Sequence, residues 1–314
     1  MEHGLKIDNV NAKISGKLER KNRISLNFRN EVRAMAFIAP SLILLLVFKY
    51  YPIISGMFIS FFEIDIVNLP GKFVGFDNYV RAFGDARFYS SMWNNMKMFV
   101  YAMLMTFWCP IILAVLVNEV RRKARTVFRM LYFIPAVAPG IAMTILWKYF
   151  WQPDYGLANY LIGLLGIQPQ MWLNSKELVY FCMNFPGMLI CGGMGLVIYL
   201  AALQDVPNEQ YESAMIDGAG FIRRIWSITL PNIAGIVKMM ILMSVMGMFN
   251  AMEGILVWTG GGPGGVTETI LLYAYKQATN SLDYSYAVTM ATIVFFVTLV
   301  LTAVINRYKG QEGA

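Results

Sequence analysis

Six apolar runs, each long enough to cross a bilayer, constrain this chain more than any other feature. A crossing needs about 20 mostly apolar residues in a helix. Runs of that kind fall at roughly 34–60, 96–118, 131–150, 180–201, 238–258 and 286–306. Lipid offers no partner to a free backbone N–H or C=O, so an isolated apolar run must close its own hydrogen bonds as a helix. The expected fold class is an all-α polytopic membrane protein with six transmembrane helices. Only 14% of the 314 residues are charged, where a soluble domain carries about a quarter. The first run follows a long polar tail and reads as a retained anchor, not a cleaved signal peptide. The organisation expected is a basic tail 1–33, an anchor 34–60, a core 92–306 containing a polar loop 202–236, and a tail 307–314.

Basic residues orient the helices. The N-terminal tail, the loops after the second and fourth runs and the C-terminal tail share eighteen Lys and Arg, among them Arg20, Arg33, Arg121, Arg125, Arg223, Arg224 and Arg307. The other three loops hold five: Lys72, Arg81, Arg87, Lys176 and Lys276. This bias predicts that both termini are cytoplasmic. The basic tail abuts an apolar run, which favours a membrane-anchoring flank over a nucleic-acid arm; no nucleic acid is expected as a partner, and membrane lipid is.

Several chemistries drop out. The one histidine, His3, lies in the polar tail, which removes His-based metal sites and Ser-His-Asp catalysis. Cys109, Cys182 and Cys191 all sit in apolar runs, so no disulfide framework is implied. No Gly-x-x-x-x-Gly-Lys-Ser/Thr occurs, so no P-loop nucleotide site is expected. Trp147, Tyr149, Phe150 and Trp151 read as an interfacial belt, with Lys148 snorkelling beside them. The 22 methionines read as adaptable packing.

Tyr211–Pro231 is a polar island between the fourth and fifth runs. Pro207 suits the first turn of a helix with Asp205 as its cap. A short helix over about 207–219 is expected, ended by Gly218 and Gly220. A second short segment, Phe221–Leu230, should run to a stop at Pro231. Small residues at Ala214, Gly218, Ala219 and Gly220 would let another protein approach closely. A connector of about 35 residues with its own structure needs more explanation than a link does.

The island resembles the cytoplasmic coupling motif of ATP-binding-cassette importer permeases: Glu-Ala-Ala, three residues, Gly, nine residues, Ile-x-Leu-Pro. Here Glu212-Ser213-Ala214 open the motif, Gly218 is the glycine, and Ile228-Thr229-Leu230-Pro231 close it. Ser213 replaces the usual alanine, and Gly235 stands where a further proline often does. Phe73–Tyr79, Tyr149–Leu161 and Thr259-Gly260-Gly261-Gly262-Pro263 with Thr267-Glu268-Thr269 are similar to segments of the carbohydrate branch, which includes the maltose, lactose and glycerol-3-phosphate permeases. The resemblance implies the type I importer transmembrane fold, in the cell membrane, with no catalytic residues and no cofactor on this chain. ATP and Mg would sit on a partner ATPase dimer. A second homologous permease and an extracytoplasmic solute-binding protein would complete the machine. Glu212, Ala214, Asp217, Gly218, Ala219, Leu230 and Pro231 would contact the ATPase.

Polar groups inside apolar runs are candidates for a substrate path. Phe249 and Asn250 put an aromatic platform beside a hydrogen-bonding amide, as a sugar site needs, and the resemblance places a substrate-contacting pair nearby. The alternative for Asn250 is an interhelical hydrogen bond. Asn184 precedes Pro186-Gly187. Glu253 reads either as a ligand or, slightly favoured, as a gate or loop charge. Gly192, Gly193 and Gly195 read as close helix packing. Lys49 is expected to snorkel along a Pro-kinked helix. Gly260–Gly265 lacks a following Lys-Ser/Thr and reads as a tight external turn that contacts the binding protein. The expected function is uptake of a carbohydrate. The alternatives are another solute on the same machine, such as a glycerophospho-compound or a polyol, or an ion-driven transporter.

Overall fold

The computed structural model describes residues 35–64, 71–120, 122–190 and 193–309. The basic tail 1–33, Arg121, Cys191, Gly192 and the tip 310–314 lie outside the described residues. Helix α1 (Met35–Ile59) belongs, up to Phe58, to one compact unit, and residues from Ile59 onward form another. Within α1 the helix widens to a π turn at Leu46–Tyr50, where the Tyr51 N–H donates to the Leu46 carbonyl, and Pro52 follows at once. A proline has no N–H, and its ring crowds the carbonyl four residues back. The wider turn takes up that mismatch. Lys49, on this turn, is exposed.

The second unit opens with a short antiparallel pair, β1 (Phe62–Glu63) with β2 (Lys72–Phe73), in which Phe62 faces Phe73. Helices follow: α2 (Asp77–Gly84), α3 (Ala86–Met105), α4 (Cys109–Glu119), α5 (Arg122–Val137), α6 (Gly140–Phe150) and α7 (Leu157–Gly163). Then come α8 (Val179–Ile190), α9 (Met194–Gln204), α10 (Asn208–Ile216), α11 (Phe221–Met248), α12 (Glu253–Trp258), α13 (Ile270–Thr279) and α14 (Tyr284–Lys309).

Among the described residues four helices are long and apolar enough to cross a membrane: Met35–Ile59, Ala86–Glu119, Phe221–Met248 and Tyr284–Ile305. The expected runs 131–150 and 180–201 are instead bent pairs. Ala124–Pro135 meets Gly140–Phe150 at 84°, and Val179–Ile190 meets Met194–Gln204 at 44°. Counting each pair as one crossing gives up to six. Pro139, just before α6, and Gly193, with φ +80° at the start of α9, supply the breaks. Ala86–Glu119 has 34 residues, about 50 Å of helix at 1.5 Å per residue. Hydrocarbon is about 30 Å thick, so this helix overshoots it, and the apolar run begins well after Ala86.

Three clusters hold the unit together. Ile111, Ala114 and Val117 of α4 pack on Leu196, Tyr199 and Leu200 of α9 and on Ile233 of α11. Phe249, Ile270, Tyr273, Tyr286 and Met290 form a second core. The third is aromatic, with Trp151 and Trp258 among Trp147, Phe150 and Trp172. Two readings change here. Trp151 is buried protein core, not interfacial belt, and Lys148 donates to the Val257 carbonyl at 3.1 Å. Leu104, Leu116, Phe296 and Val300 stay exposed, as lipid-facing side chains do, because lipid tails are as apolar as they are.

Glycines set the closest helix approaches. A Cβ on Gly187 would sit 2.5 Å from Thr106 Cγ2, and one on Gly195 would sit 3.4 Å from Pro110 Cβ. Thr106 cannot simply turn away, because its Oγ1 donates to the Ala102 carbonyl at 2.7 Å. Gly187→Ala is therefore expected to destabilise the folded chain by about 1–3 kcal/mol through overpacking, while Gly195→Ala costs little. Thr106→Ser, which removes Cγ2, should restore the Gly187→Ala variant. Thermal unfolding of the three variants in mild detergent checks this, and equal stability of the two glycine variants would refute the close contact.

Candidate functional site

The polar island folds as α10, a tight turn, and the first turns of α11. The helix ends in a complete Schellman motif. The Ala219 N–H donates to the Ala214 carbonyl at 2.8 Å, and the Gly218 N–H to the Met215 carbonyl at 3.1 Å. This closure needs a left-handed residue, and Gly218 supplies it with φ +76°. Nothing lies within 4 Å of a Cβ built there, so the requirement for glycine within the chain is conformational. Ala214 and Ala219, the half-buried pair closing the motif, stand beside exposed Glu212 and Asp217. Around the turn Ile216, Ile222 and Trp226 are 86%, 71% and 70% exposed. Large apolar side chains left open beside charged ones mark an interaction face.

Two expectations are corrected. Pro207 occupies the N-cap position itself, and no side chain caps α10. Pro231 does not stop the second segment, because Phe221–Met248 is one helix. A π turn at Ile225–Thr229, closed by the Leu230 N–H on the Ile225 carbonyl, precedes the proline. Leu230 packs against the α4–α9 core, away from the exposed turn. Side chains bind α10 to α11: the Tyr211 hydroxyl and Thr229 Oγ1 are 3.1 Å apart, and Asn232 Nδ2 donates to Gln210 Oε1 at 2.9 Å.

At its far end α11 breaks. Phe249–Met252 are non-helical, and α12 resumes at Glu253. The freed carbonyls are met by side chains that the sequence reading passed over. Asn95 Nδ2 donates to the Met248 carbonyl at 2.9 Å, while its Oδ1 accepts from the Ile270 N–H at 2.9 Å. Thr269 Oγ1 donates to the Ala251 carbonyl at 2.8 Å. Discontinuous helices near the membrane centre are where transporters place their sites.

Next to Thr269, Glu268 is 4% exposed. Arg87 grips it with two hydrogen bonds, Nε to Oε2 at 2.7 Å and Nη2 to Oε1 at 2.9 Å. Lys276 Nζ donates to Oε1 at 2.8 Å and to the Gly260 carbonyl at 2.7 Å. Asn94 Nδ2 holds the Gly265 and Glu268 carbonyls at 2.8 and 3.1 Å. Burial alone would raise the Glu268 pKa, but the hydrogen bonds and charges of Arg87 and Lys276 hold it below the usual carboxylate value. Asp85 behaves alike. Burial works upward, and the hydroxyls of Tyr273 and Tyr286, at 2.6 and 2.7 Å, outweigh it. The only cue to Glu268 was its place in the Thr-Glu-Thr segment. Asn94 and Asn95 were visible as an amide pair at the edge of an apolar run.

The expected path residues do not converge on one cavity. Asn184 lines a cavity of about 420 Å³ with Phe99, Thr106, Tyr199, Ser244 and Trp258. Its Nδ2 donates to the Tyr180 carbonyl at 2.8 Å. Phe249 is buried in the second core and does not line this cavity. Asn250 and Glu253 are exposed at the helix break. Asn250 Nδ2 donates to the Met246 carbonyl at 3.2 Å, four residues back in the last turn of α11, so no bond to another helix uses it as donor among the described residues. Among the described residues no cluster of His, Cys, Asp or Glu is arranged to hold a metal.

The Glu268 cluster has a pH signature. Its folded pKa is depressed, so the stability it contributes is full at neutral pH and falls as pH drops through the carboxylate range. Wild type should hold its unfolding temperature down to about pH 5 and lose it between about pH 5 and about pH 3, and Glu268→Gln should lose less there. Thermal unfolding across that range reads the difference, and parallel profiles would rule the ion cluster out as the cause.

Residues 107–310 match the family described as "Binding-protein-dependent transport system inner membrane component". The chain is 32% identical over 283 residues to the arabinooligosaccharides transport system permease protein AraP of Bacillus subtilis (strain 168), covering 88% of this chain and 89% of AraP. It is 30% identical over 288 residues to the trehalose/maltose transport system permease protein MalF of Thermococcus litoralis, covering 90% and 97%. A chain of the bacterial alginate ABC transporter, solved in complex with an alginate pentasaccharide-bound periplasmic protein, superposes with a TM-score of 0.79 at 23% identity, covering 90% of this chain and 95% of that one. That likeness shows the importer permease fold, and the sequence relatives are transport permeases. The family match spans well over half of the chain, which therefore belongs to the binding-protein-dependent transport system inner membrane components.

Proposed function

We propose that this chain is one of two permease subunits of an ATP-driven importer that carries a mono- or oligosaccharide inward across the cell membrane. It crosses six times, with both termini cytoplasmic. It has no catalytic residues and binds no cofactor, since ATP and Mg belong to a partner ATPase dimer. A second homologous permease and an extracytoplasmic solute-binding protein complete the assembly. The sugar assignment leans on the named substrates of AraP and MalF.

The observation that carries this reading is the continuity of α10 with α11. The Gly218 turn presents Ile216, Ile222 and Trp226 at one end. Tyr211–Thr229 and Gln210–Asn232 tie it to a single helix of 28 residues. That helix ends about 40 Å away at the Phe249–Met252 break. A push on the turn by a closing ATPase is delivered to the break as motion of one rigid rod, which is how a partner's work drives alternating access. Asn250 and Glu253, exposed on this chain, would face the second permease across the path, and Asn184 would serve from the neighbouring cavity. Glu212 and Asp217 would pair with basic groups of the ATPase, and Gly218 would keep the turn low enough to seat.

The test is a mild-detergent pull-down of the tagged chain from its native membrane, followed by transport in vesicles. An ATPase, a second permease and a binding protein should co-purify with wild type. Gly218→Asn tolerates positive φ and should keep the ATPase. Gly218→Trp should lose it, and Glu212→Lys should insert normally but transport at least tenfold less, the effect of about 1.4 kcal/mol of coupling. Normal transport by both Gly218→Trp and Glu212→Lys would overturn the assignment.

A further inference from the structure

Beside Glu268 lies an open cleft of about 710 Å³. One wall is α3, with Arg87, Trp93 and Lys97. The other is the Gly260–Gly265 turn with Lys276. Lys176 reaches the rim, its Cε 3.1 Å from the place of a Gly264 Cβ. Arg87, Lys97 and Lys276 thus line the cleft, Lys176 reaches its rim, and the one carboxylate in the lining, Glu268, is buried and already shared by Arg87 and Lys276. Lys97 has no carboxylate partner among the described residues. Trp93 is 61% exposed and forms an apolar ledge within the cleft.

The spacing decides what fits. Arg87 and Lys97 are ten residues apart on one helix, about 15 Å. A single small anion cannot span that distance, but an extended protein segment with two or more acidic side chains can. We infer that this cleft receives an acidic segment of the solute-binding protein, and that its arrival draws Arg87 and Lys276 off Glu268. The inference rests on the importer reading and on the orientation proposed with it, which puts this end of α3 outside. The consequence reaches the path through contacts already described. Asn94 holds the Glu268 carbonyl, the next residue, Thr269, holds Ala251, and Asn95 bridges Met248 to Ile270. Loosening Glu268 therefore loosens the cage around the broken helix, so docking outside primes the element that the ATPase drives from inside.

The experiment uses the complete assembly and the binding protein recovered with it, reconstituted in neutral phosphatidylcholine vesicles. A carbodiimide joins an amine to a carboxylate without a spacer, so Lys97 or Lys276 should cross-link to an Asp or Glu of the binding protein. Lys97→Glu should raise the binding-protein concentration for half-maximal ATPase stimulation about tenfold and flatten its dependence on salt; Lys97→Arg should restore both. Glu268→Gln should raise ATPase activity without binding protein. Full stimulation with no such cross-link, or an unchanged half-saturation in Lys97→Glu, would overturn the docking site. A Lys97 effect seen only in vesicles of anionic lipid would assign the cleft to headgroups and overturn it as well. Unchanged unstimulated activity in Glu268→Gln would overturn the release step. Failure of the importer reading looks different, because no ATPase or binding protein would be recovered to assay.

Discussion

A backbone carbonyl freed inside an apolar environment must find a donor, and much of this chain's polar architecture serves that need. Breaking α11 at Phe249 releases the Met248 and Ala251 carbonyls, and Asn95 and Thr269 take them up. Asn95 is 1% exposed and uses both ends of its amide, so the break is held as firmly as a helix would be. Leaving such groups unpaired costs about 1–3 kcal/mol each, which explains why the donors come from rigid positions on α3 and at the start of α13. The Glu268 cluster then fixes those two elements to each other. The break is thus an irregular segment clamped by its neighbours, not a loose one.

The two ends of α11 present opposite designs. At one end it receives α10 through two exposed or half-buried hydrogen bonds and offers an open apolar face. At the other it dissolves into buried polar contacts. An exposed attachment can change partners cheaply, while a buried one can only switch between discrete arrangements. A helix fastened this way is open to a partner at one end and fixed by its own chain at the other.

Much of this was legible in the sequence, and the failures have physical causes. The Glu212–Pro231 spacing located an exposed glycine turn, and the Schellman closure explains why Gly218 had to be glycine. Hydropathy located the apolar stretches, but it placed the fifth at 238–258 where the helix is Phe221–Met248, and it cannot see an 84° bend at Pro139 or a positive φ at Gly193. Pro231 looked like a stop because proline normally ends helices, and nothing in the local sequence announces a π turn. The aromatic cluster at Trp147–Trp151 looked interfacial, because composition alone does not tell lipid headgroups from a neighbouring helix. Phe249 and Asn250 are adjacent in sequence, yet one points into the core and the other lies exposed. A helix break rotates neighbours apart in a way periodicity does not describe. Glu268 and Asp85 were missed because Arg87, which grips the first, and Tyr273, which bonds the second, lie nearly two hundred residues from them in the chain.

The π turn before Pro231 has a further meaning as angular bookkeeping along the helix. One extra residue in a turn advances everything on its far side by about 100° relative to a plain α-helix. The residues that lead into α11 from α10 therefore owe their azimuth to that single insertion. Remove one residue from Ile225–Thr229, and Phe221–Arg224 swing about a third of a turn around the axis. Tyr211 is then carried off Thr229 and Gln210 off Asn232, although no side chain in the turn has changed. The side-chain ties between α10 and α11 form only because the phase of the helix is correct, so they depend on the length of this segment more than on its composition.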